Sequence, residues 1–78
     1  MKAEIKLYGT ECTTEAYSTT TVEGATGGEL RRNAIRAFET EIDELSQNGD
    51  GAGWIDFTIY EADEGEDYPV GHTYTIDL

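Results

Sequence analysis

Five carboxylates lie within seven residues in the last third of the chain, at Glu61, Asp63, Glu64, Glu66 and Asp67. Carboxylates spaced along a loop can pair with Arg and Lys of a partner protein, as a phosphate backbone does. Their oxygens also suit Ca²⁺, but the spacing does not follow the calcium-loop pattern D-x-[DN]-x-[DN]-G. Alternatively, the cluster is a solvated hairpin tip that resists aggregation. We therefore treat it as a candidate binding site for a cationic protein.

The charge of the chain is divided unevenly along the sequence. The formal net charge is −12, yet all five Lys and Arg residues precede residue 37 and are balanced there by five acids. Residues 37–78 contain twelve acids and no Lys or Arg. Like charge of this kind destabilises a compact state, so a cationic partner or a salty solvent must account for it. The acidity argues against direct binding to nucleic acid or to an anionic membrane.

The remaining reactive side chains are too few to build a catalytic centre. Cys12 and His72 are the only Cys and His residues, so the sequence offers no Cys–His pair, no zinc ligand set and no intramolecular disulfide. We expect His72 to pack beside Tyr74 on the core side of a strand. A chain of 78 residues also leaves little room for a substrate pocket of ~300 Å³. We expect a protein that is not an enzyme and needs no cofactor.

The sequence has neither a long apolar run nor the apolar segment of a signal peptide near its start. With a single cysteine, these features indicate a cytoplasmic protein.

Alternating apolar and polar residues predict four strands. Residues 2–8 direct Ala3, Ile5 and Leu7 toward a core, and residues 54–62 direct Ile55, Phe57 and Ile59 there. Residues 15–22 form a weaker, Thr-rich edge strand, and residues 70–78 form the last strand. Their predicted inward positions are Ala16, Ser18, Thr20 and Val22, and Val70, His72, Tyr74, Ile76 and Leu78.

A single helix is predicted over about residues 28–47, because apolar residues recur there at helical spacing. Thr26 and Glu29 have the form of a capping box at its start, and Asn48-Gly49 is a helix stop. The apolar stripe consists of Leu30, Ala34, Phe38, Ile42 and Leu45.

These elements predict one α+β domain over residues 1–78, in the order β-β-α-β-β. One helix would cover one face of a four-stranded, mainly antiparallel sheet made of two hairpins. The order of the strands within the sheet is left open.

Charges along the predicted helix oppose its dipole, which favours anions at the N-terminus and cations at the C-terminus. Arg31, Arg32 and Arg36 lie in its first half, and the acids of residues 39–44 lie in its second half. Violations of a local rule tend to mark functional sites. The acids are therefore candidates for one anionic surface, although Arg36 and Glu39 could instead form a weak surface pair.

Aromatic residues are predicted on the outer face of the sheet, at Tyr8, Tyr17, Trp54 and Tyr60. Aromatic side chains on an open face can anchor a protein partner. Alternatively, they cover one another as cross-strand pairs.

Small size, strong acidity, a sheet-plus-helix layout and the absence of a catalytic motif give the chain a resemblance to a known class of proteins. With the acidic segment 61–67 and the helix acids of residues 39–44, it resembles the small phage-encoded anti-CRISPR proteins, many of which mimic nucleic acid. That class has no shared sequence signature, so the resemblance assigns no role to any residue. It implies an inhibitor in the cytoplasm of a host cell.

We expect a small inhibitor that binds a basic nucleic-acid-binding protein, such as a CRISPR effector, and blocks its DNA or RNA site by charge mimicry. The alternatives are a small domain adapted to high salt and a subunit of a phage assembly. The candidate partner-binding residues are Glu39, Asp43, Glu44, Asp50, Tyr60, Glu61, Asp63, Glu64, Glu66, Asp67 and Tyr68.

Overall fold

A computed structural model describes residues 1–11, 14–49, 51–62 and 69–78. The elements follow the order β-β-α-α-β-β. They are β1 (Lys2–Gly9), β2 (Ser18–Glu23), α1 (Gly27–Ala37), α2 (Glu39–Gln47), β3 (Ala52–Glu61) and β4 (Thr73–Asp77).

The four strands form one antiparallel sheet in the order β2-β1-β3-β4. The hairpins β1–β2 and β3–β4 pair as the sequence predicts. The two helices connect the edge strand β2 to β3, which pairs with the other side of β1. As a result, β1 and β3 are the central strands and carry half of the twelve buried core residues that the structure describes.

The core lies between the helices and one face of the sheet. Ala3, Ile5 and Leu7 of β1 are fully buried, and their neighbours on β3, Ile59, Phe57 and Ile55, are buried opposite them. Alternate residues of a strand point to opposite faces, so this face is apolar while the other is polar. The helices complete the core with Leu30, Ala34, Phe38 and Leu45.

The predicted fold, with one helix in the order β-β-α-β-β, is wrong because the helical segment is broken at Phe38. Phe38 has φ −101° and ψ 10°, and its N–H bonds back to the carbonyls of Arg36 and Ile35. Its side chain is nevertheless buried in the core. The apolar stripe therefore continues through the break, which is why the hydrophobic pattern alone predicted a continuous helix.

Two helices remove part of the conflict between the charges and the helix dipole. Glu29 lies in the first turn of α1 and Arg36 in its last turn, while Glu39 and Glu41 lie in the first turn of α2. Each of these charges favours the helix that carries it. The opposed charge pattern was thus a sign of the break.

The helix ends agree with the sequence. Thr26 is the N-cap of α1, and its hydroxyl accepts a hydrogen bond from the Glu29 N–H at 3.1 Å. Asn48 is the C-cap of α2, and Gly49 follows it with φ 79°. A positive φ is available to glycine without the steric cost that a Cβ would add.

The edge strands are shorter and less buried than predicted. In β2 only Val22 is buried. In β4 Ile76 is buried and Tyr74 half-buried. His72 lies beside Tyr74, with ring centroids 4.7 Å apart, but it is exposed and precedes the strand. Val70 and Leu78 are likewise exposed, which corrects their placement in the core.

A close contact at Gly24 leads to a stability prediction. A Cβ at this position would lie 2.7 Å from the backbone N and 2.9 Å from the Cα of Leu30, both of which belong to α1. We expect Gly24→Ala to lower the free energy of unfolding by about 1–3 kcal/mol, since backbone must shift to relieve the overlap. Urea denaturation measures the change.

Gly28→Ala is the matched control, because a Cβ at Gly28 meets nothing within 4 Å. It should leave stability unchanged or raise it by up to ~1 kcal/mol, as Ala is the better helix former. Equal effects of the two substitutions would contradict the close approach of Gly24 to α1.

Candidate functional site

The surface of α2 is rich in carboxylates. Glu39, Asp43 and Glu44 are exposed and Glu41 is half-buried, and α2 contains no Lys or Arg. With 3.6 residues per turn, Glu39 and Asp43 share one side of the helix, and Glu41 lies on the opposite side. We call the three exposed carboxylates Glu39, Asp43 and Glu44 the α2 acidic surface.

A tyrosine ties the α2 acidic surface to the sheet. The N–H of Tyr17 donates to the carbonyl of Leu7 at 2.7 Å, and its phenol donates to Glu44 Oε2 at 3.0 Å. This hydrogen bond is the main cause that raises the pKa of Tyr17, with smaller contributions from partial burial and from the charges of Glu44 and Glu41. Tyr17 thereby holds Glu44 close to the end of β1 that contains Leu7.

A second charged group lies at the opposite end of β1. The Lys2 Nζ is 3.3 Å from Glu61 Oε2 and 3.8 Å from Glu23 Oε1. The pKa of Lys2 is raised, first by its hydrogen bond to Glu61 and then by the charges of Glu61 and Glu23. All three side chains are well exposed, so such ion pairs stabilise the fold little.

A bulge in β3 explains how Glu61 reaches Lys2. Lys2 lies opposite Glu61 while Ala3 lies opposite Ile59, so Tyr60 is an extra residue in this strand. A bulge of this kind redirects the neighbouring side chains. Tyr60 is 49% exposed. The alternating pattern continued without interruption through this point and gave no sign of the bulge.

A cleft of ≈ 380 Å³ opens beside this group, with Lys2, Glu23, Glu29 and Glu61 in its lining. A chain of this length predicts little room for a pocket of this size, so the presence of the cleft corrects that expectation. Three of the residues in the lining are glutamates. Their carboxylates add to the anionic character of this end.

In the described ranges, the face of the sheet away from the helices carries polar residues and the aromatic pair of Tyr8 and Trp54. Tyr8 and Trp54 lie opposite each other on β1 and β3 and stack, with ring centroids 4.9 Å apart and planes 13° apart. The sequence allowed two roles for these aromatic residues, either as anchors for a partner protein or as cross-strand pairs. Tyr8 and Trp54 form a cross-strand pair. Tyr17 does not belong to this face, because it precedes β2 and bonds to α2.

Hydroxyl groups hold the rest of the open sheet face together. Thr58 and Thr73 hydrogen-bond at 2.7 Å, and the Thr75 hydroxyl donates to Asp56 Oδ1 at 2.8 Å. These contacts join β3 to the edge strand β4. Asp56 thus stabilises the sheet as well as contributing charge.

The predicted partner-binding residues fall into two separate groups in the part of the chain that the structure describes. Glu39, Asp43 and Glu44 lie on α2, and Glu44 is tied to the Leu7 end of β1 through Tyr17. Tyr60 and Glu61 lie at the Lys2 end, about 17 Å from Leu7 along the strand at ~3.3 Å per residue. The residues Asp50, Asp63, Glu64, Glu66, Asp67 and Tyr68, together with Cys12, lie outside the described residues.

Two structural contacts were not anticipated from the sequence. The pairing of Tyr17 with Glu44 joins residues 27 positions apart, and the Lys2 group joins three strands. Both depend on the sheet order, which the sequence left open. The excess of carboxylates in residues 37–78 was the only signal that pointed toward either group.

Among the described residues, no group of three or more His, Cys, Asp or Glu side chains is arranged to hold a metal ion. None of the helices in the described ranges combines the length and apolar character needed to cross a membrane.

Comparison with known proteins found no matching family model, no matching curated protein and no matching solved structure.

The hydrogen bond between Tyr17 and Glu44 predicts a change in titration. We expect Glu44→Gln to lower the pKa of Tyr17 toward the ordinary tyrosine value, because the substitution removes the charged acceptor. A raised pKa means that the bond stabilises the fold below the ordinary pKa of tyrosine. This stabilisation is lost as the pH rises through the pKa of Tyr17 in the folded protein. NMR titration of the tyrosine rings measures the shift.

Glu39→Gln removes the same charge from the outer face of the same helix and serves as the control. It should leave the pKa of Tyr17 almost unchanged. If Glu44→Gln also left it unchanged, the hydrogen bond would not form in solution.

Proposed function

We propose that this protein is a small, non-enzymatic inhibitor that binds a basic nucleic-acid-binding protein, such as a CRISPR effector, and blocks its DNA or RNA site. The α2 acidic surface carries the proposal. It presents three exposed carboxylates with no cation on the same helix. A groove that accepts a phosphate backbone offers Arg and Lys, with which carboxylates can also pair.

The distribution of ion pairs supports the same proposal. The salt bridges within the described part of the chain involve Lys2 and Lys6, which pair with Glu4, Glu23 and Glu61. None of them involves a carboxylate of α2. Glu44 accepts a hydrogen bond from Tyr17, but Glu39 and Asp43 are available to a partner without first breaking an internal salt bridge. Such charges favour fast, electrostatically steered association.

The Lys2 end supplies a second anionic region on the proposed inhibitor. Glu61 and the exposed ring of Tyr60 lie there, directly before the acidic segment 63–67 of the sequence. Tyrosine adds contact area beside charge in many protein interfaces. The α2 acidic surface and this end would contact two parts of one extended basic groove. The site of action is proposed to be the cytoplasm, in a host cell if the protein is phage-encoded.

Adaptation to concentrated salt is the second candidate function, and carboxylates without counter-ions favour it as well. In that case the charge would serve solubility, and self-repulsion would unfold the domain when salt is removed. A charge mimic stays folded in low salt and binds its partner more tightly there. Circular dichroism of the purified protein at low and high salt separates the two candidates.

The binding prediction uses the tagged protein as bait in a host lysate at low salt. We expect capture of a nucleic-acid-binding protein that duplex DNA or high salt releases, because both compete for the same cationic groove. Glu39→Gln/Asp43→Asn should reduce the association rate with that partner by about tenfold, since such charges act mainly on encounter. The triple variant Glu64→Gln/Glu66→Gln/Asp67→Asn tests the second acidic segment in the same way.

Glu4→Gln/Asp77→Asn is the matched control for Glu39→Gln/Asp43→Asn. It also removes two negative charges, but from the strands β1 and β4. It should retain most of the association rate. Equal rates for native protein and all three variants, or a partner that DNA does not displace, would refute charge mimicry.

A further inference from the structure

The outward side of the two helices carries cations and anions in a mirrored arrangement. Arg32 and Arg36 lie one turn apart on α1, and Glu39 and Asp43 lie one turn apart on α2. All four are exposed. At 3.6 residues per turn they lie about a third to a half of a turn from the buried residues Leu30, Ala34 and Leu45, on the side of the helices that faces away from the sheet. We call these four residues the charge seam.

The charged positions of the seam are mirrored along the sequence about the break between the helices, with cations on one side and anions on the other. The midpoint between Arg36 and Glu39 is also the midpoint between Arg32 and Asp43, and it falls at the break between Ala37 and Phe38. Each Arg on one side of the break is therefore matched by a carboxylate that lies the same number of residues from the break on the other side.

Neither the helix dipoles nor internal ion pairs account for the whole pattern. The dipoles favour Arg36 and Glu39 at the ends where they lie, but Arg32 is in the middle of α1 and Asp43 is beyond the first turn of α2. No residue that the structure describes forms a salt bridge with either arginine of the seam.

We propose that the charge seam is the interface of a symmetric homodimer, in which two copies pack their helical layers antiparallel across a two-fold axis at the break. That axis places Arg32 opposite Asp43 of the second copy and Arg36 opposite Glu39 of the second copy. Two-fold symmetry repeats both contacts, which is the property of a self-complementary interface. Arg can also form two parallel hydrogen bonds to each carboxylate.

An exposed apolar residue borders the seam on each copy. Ile35 is 41% exposed and lies three residues from Arg32, which makes the two neighbours on the surface of α1. Antiparallel helices approach to an interaxial distance of about 8–10 Å, which would cover part of this side chain. The dimer thus buries apolar area as well as pairing charge.

The net charge of −12 on each copy sets the conditions of association. Repulsion between whole copies acts over a longer range than the contacts in the seam, and salt at about 0.15 M shortens that range to ~8 Å. We expect the dimer to be weak at low salt and stronger near 0.15 M. This inference does not depend on the proposed function, although the dimer would cover Glu39 and Asp43 and so compete with a basic partner.

The test is sedimentation equilibrium of the purified protein alone, across micromolar to millimolar concentrations at about 0.15 M salt. The native chain should show a reversible monomer–dimer equilibrium. In Arg32→Glu/Arg36→Glu, both residues of every contact across the seam are acidic. In Glu39→Arg/Asp43→Arg, both residues of every contact are basic. Each variant alone should raise the dimer dissociation constant by about tenfold or more, because like charges then face each other.

Mixing the two variants should restore a dimer that contains one copy of each. The matched control is Lys2→Glu/Lys6→Glu, which changes the net charge as much as Arg32→Glu/Arg36→Glu but on the strand β1. It should dimerise like the native chain once circular dichroism has established that it is folded. A native protein that stays monomeric throughout would overturn the proposal. So would a dimer that survives Arg32→Glu/Arg36→Glu, or a mixture that forms no heterodimer.

Discussion

Burial of one face of β1 and β3 under two short helices is the interaction on which the rest of the structure depends. The side chains of Ala3, Ile5 and Leu7 are fully buried, and so are those of Ile55 and Ile59. A domain of 78 residues has few other sources of stability, and a net charge of −12 acts against it. The apolar face must therefore be continuous, and the excess charge must remain on the surfaces that the core does not use.

The break at Phe38 reconciles the core with the charges of the helices. A single straight helix would carry its arginines near the N-terminus and its acids near the C-terminus, against its dipole. Two helices place Arg36 at an end where a cation is favourable and Glu39 at a start where an anion is favourable. Phe38 meanwhile keeps its side chain in the core. The same break is the centre of the charge seam, so one local feature organises both the fold and the arrangement of surface charge.

The predicted partner-binding carboxylates that the structure describes are divided between two regions instead of forming one continuous patch. Tyr17 holds Glu44 near one end of β1, and Lys2 holds Glu61 near the other. An extended basic groove fits such a separation better than a compact basic pocket does, because both regions can then be contacted at once. The stacked pair of Tyr8 and Trp54 lies on the open face of the sheet and mainly joins β1 to β3.

The sequence by itself determined which residues form the core of the central strands, where the helical region begins and ends, and where the excess charge lies. Period-two alternation around Ile5 and Phe57 and the caps at Thr26 and Asn48 are local signals, and local physics is enough to interpret them. The two edge strands were extended too far, because alternation in β4 does not show where the helical layer stops covering it. Only the tertiary structure decided the strand order, the bulge at Tyr60 and the pairing of Tyr17 with Glu44. Each of these depends on contacts between residues far apart in the chain, which no local pattern encodes.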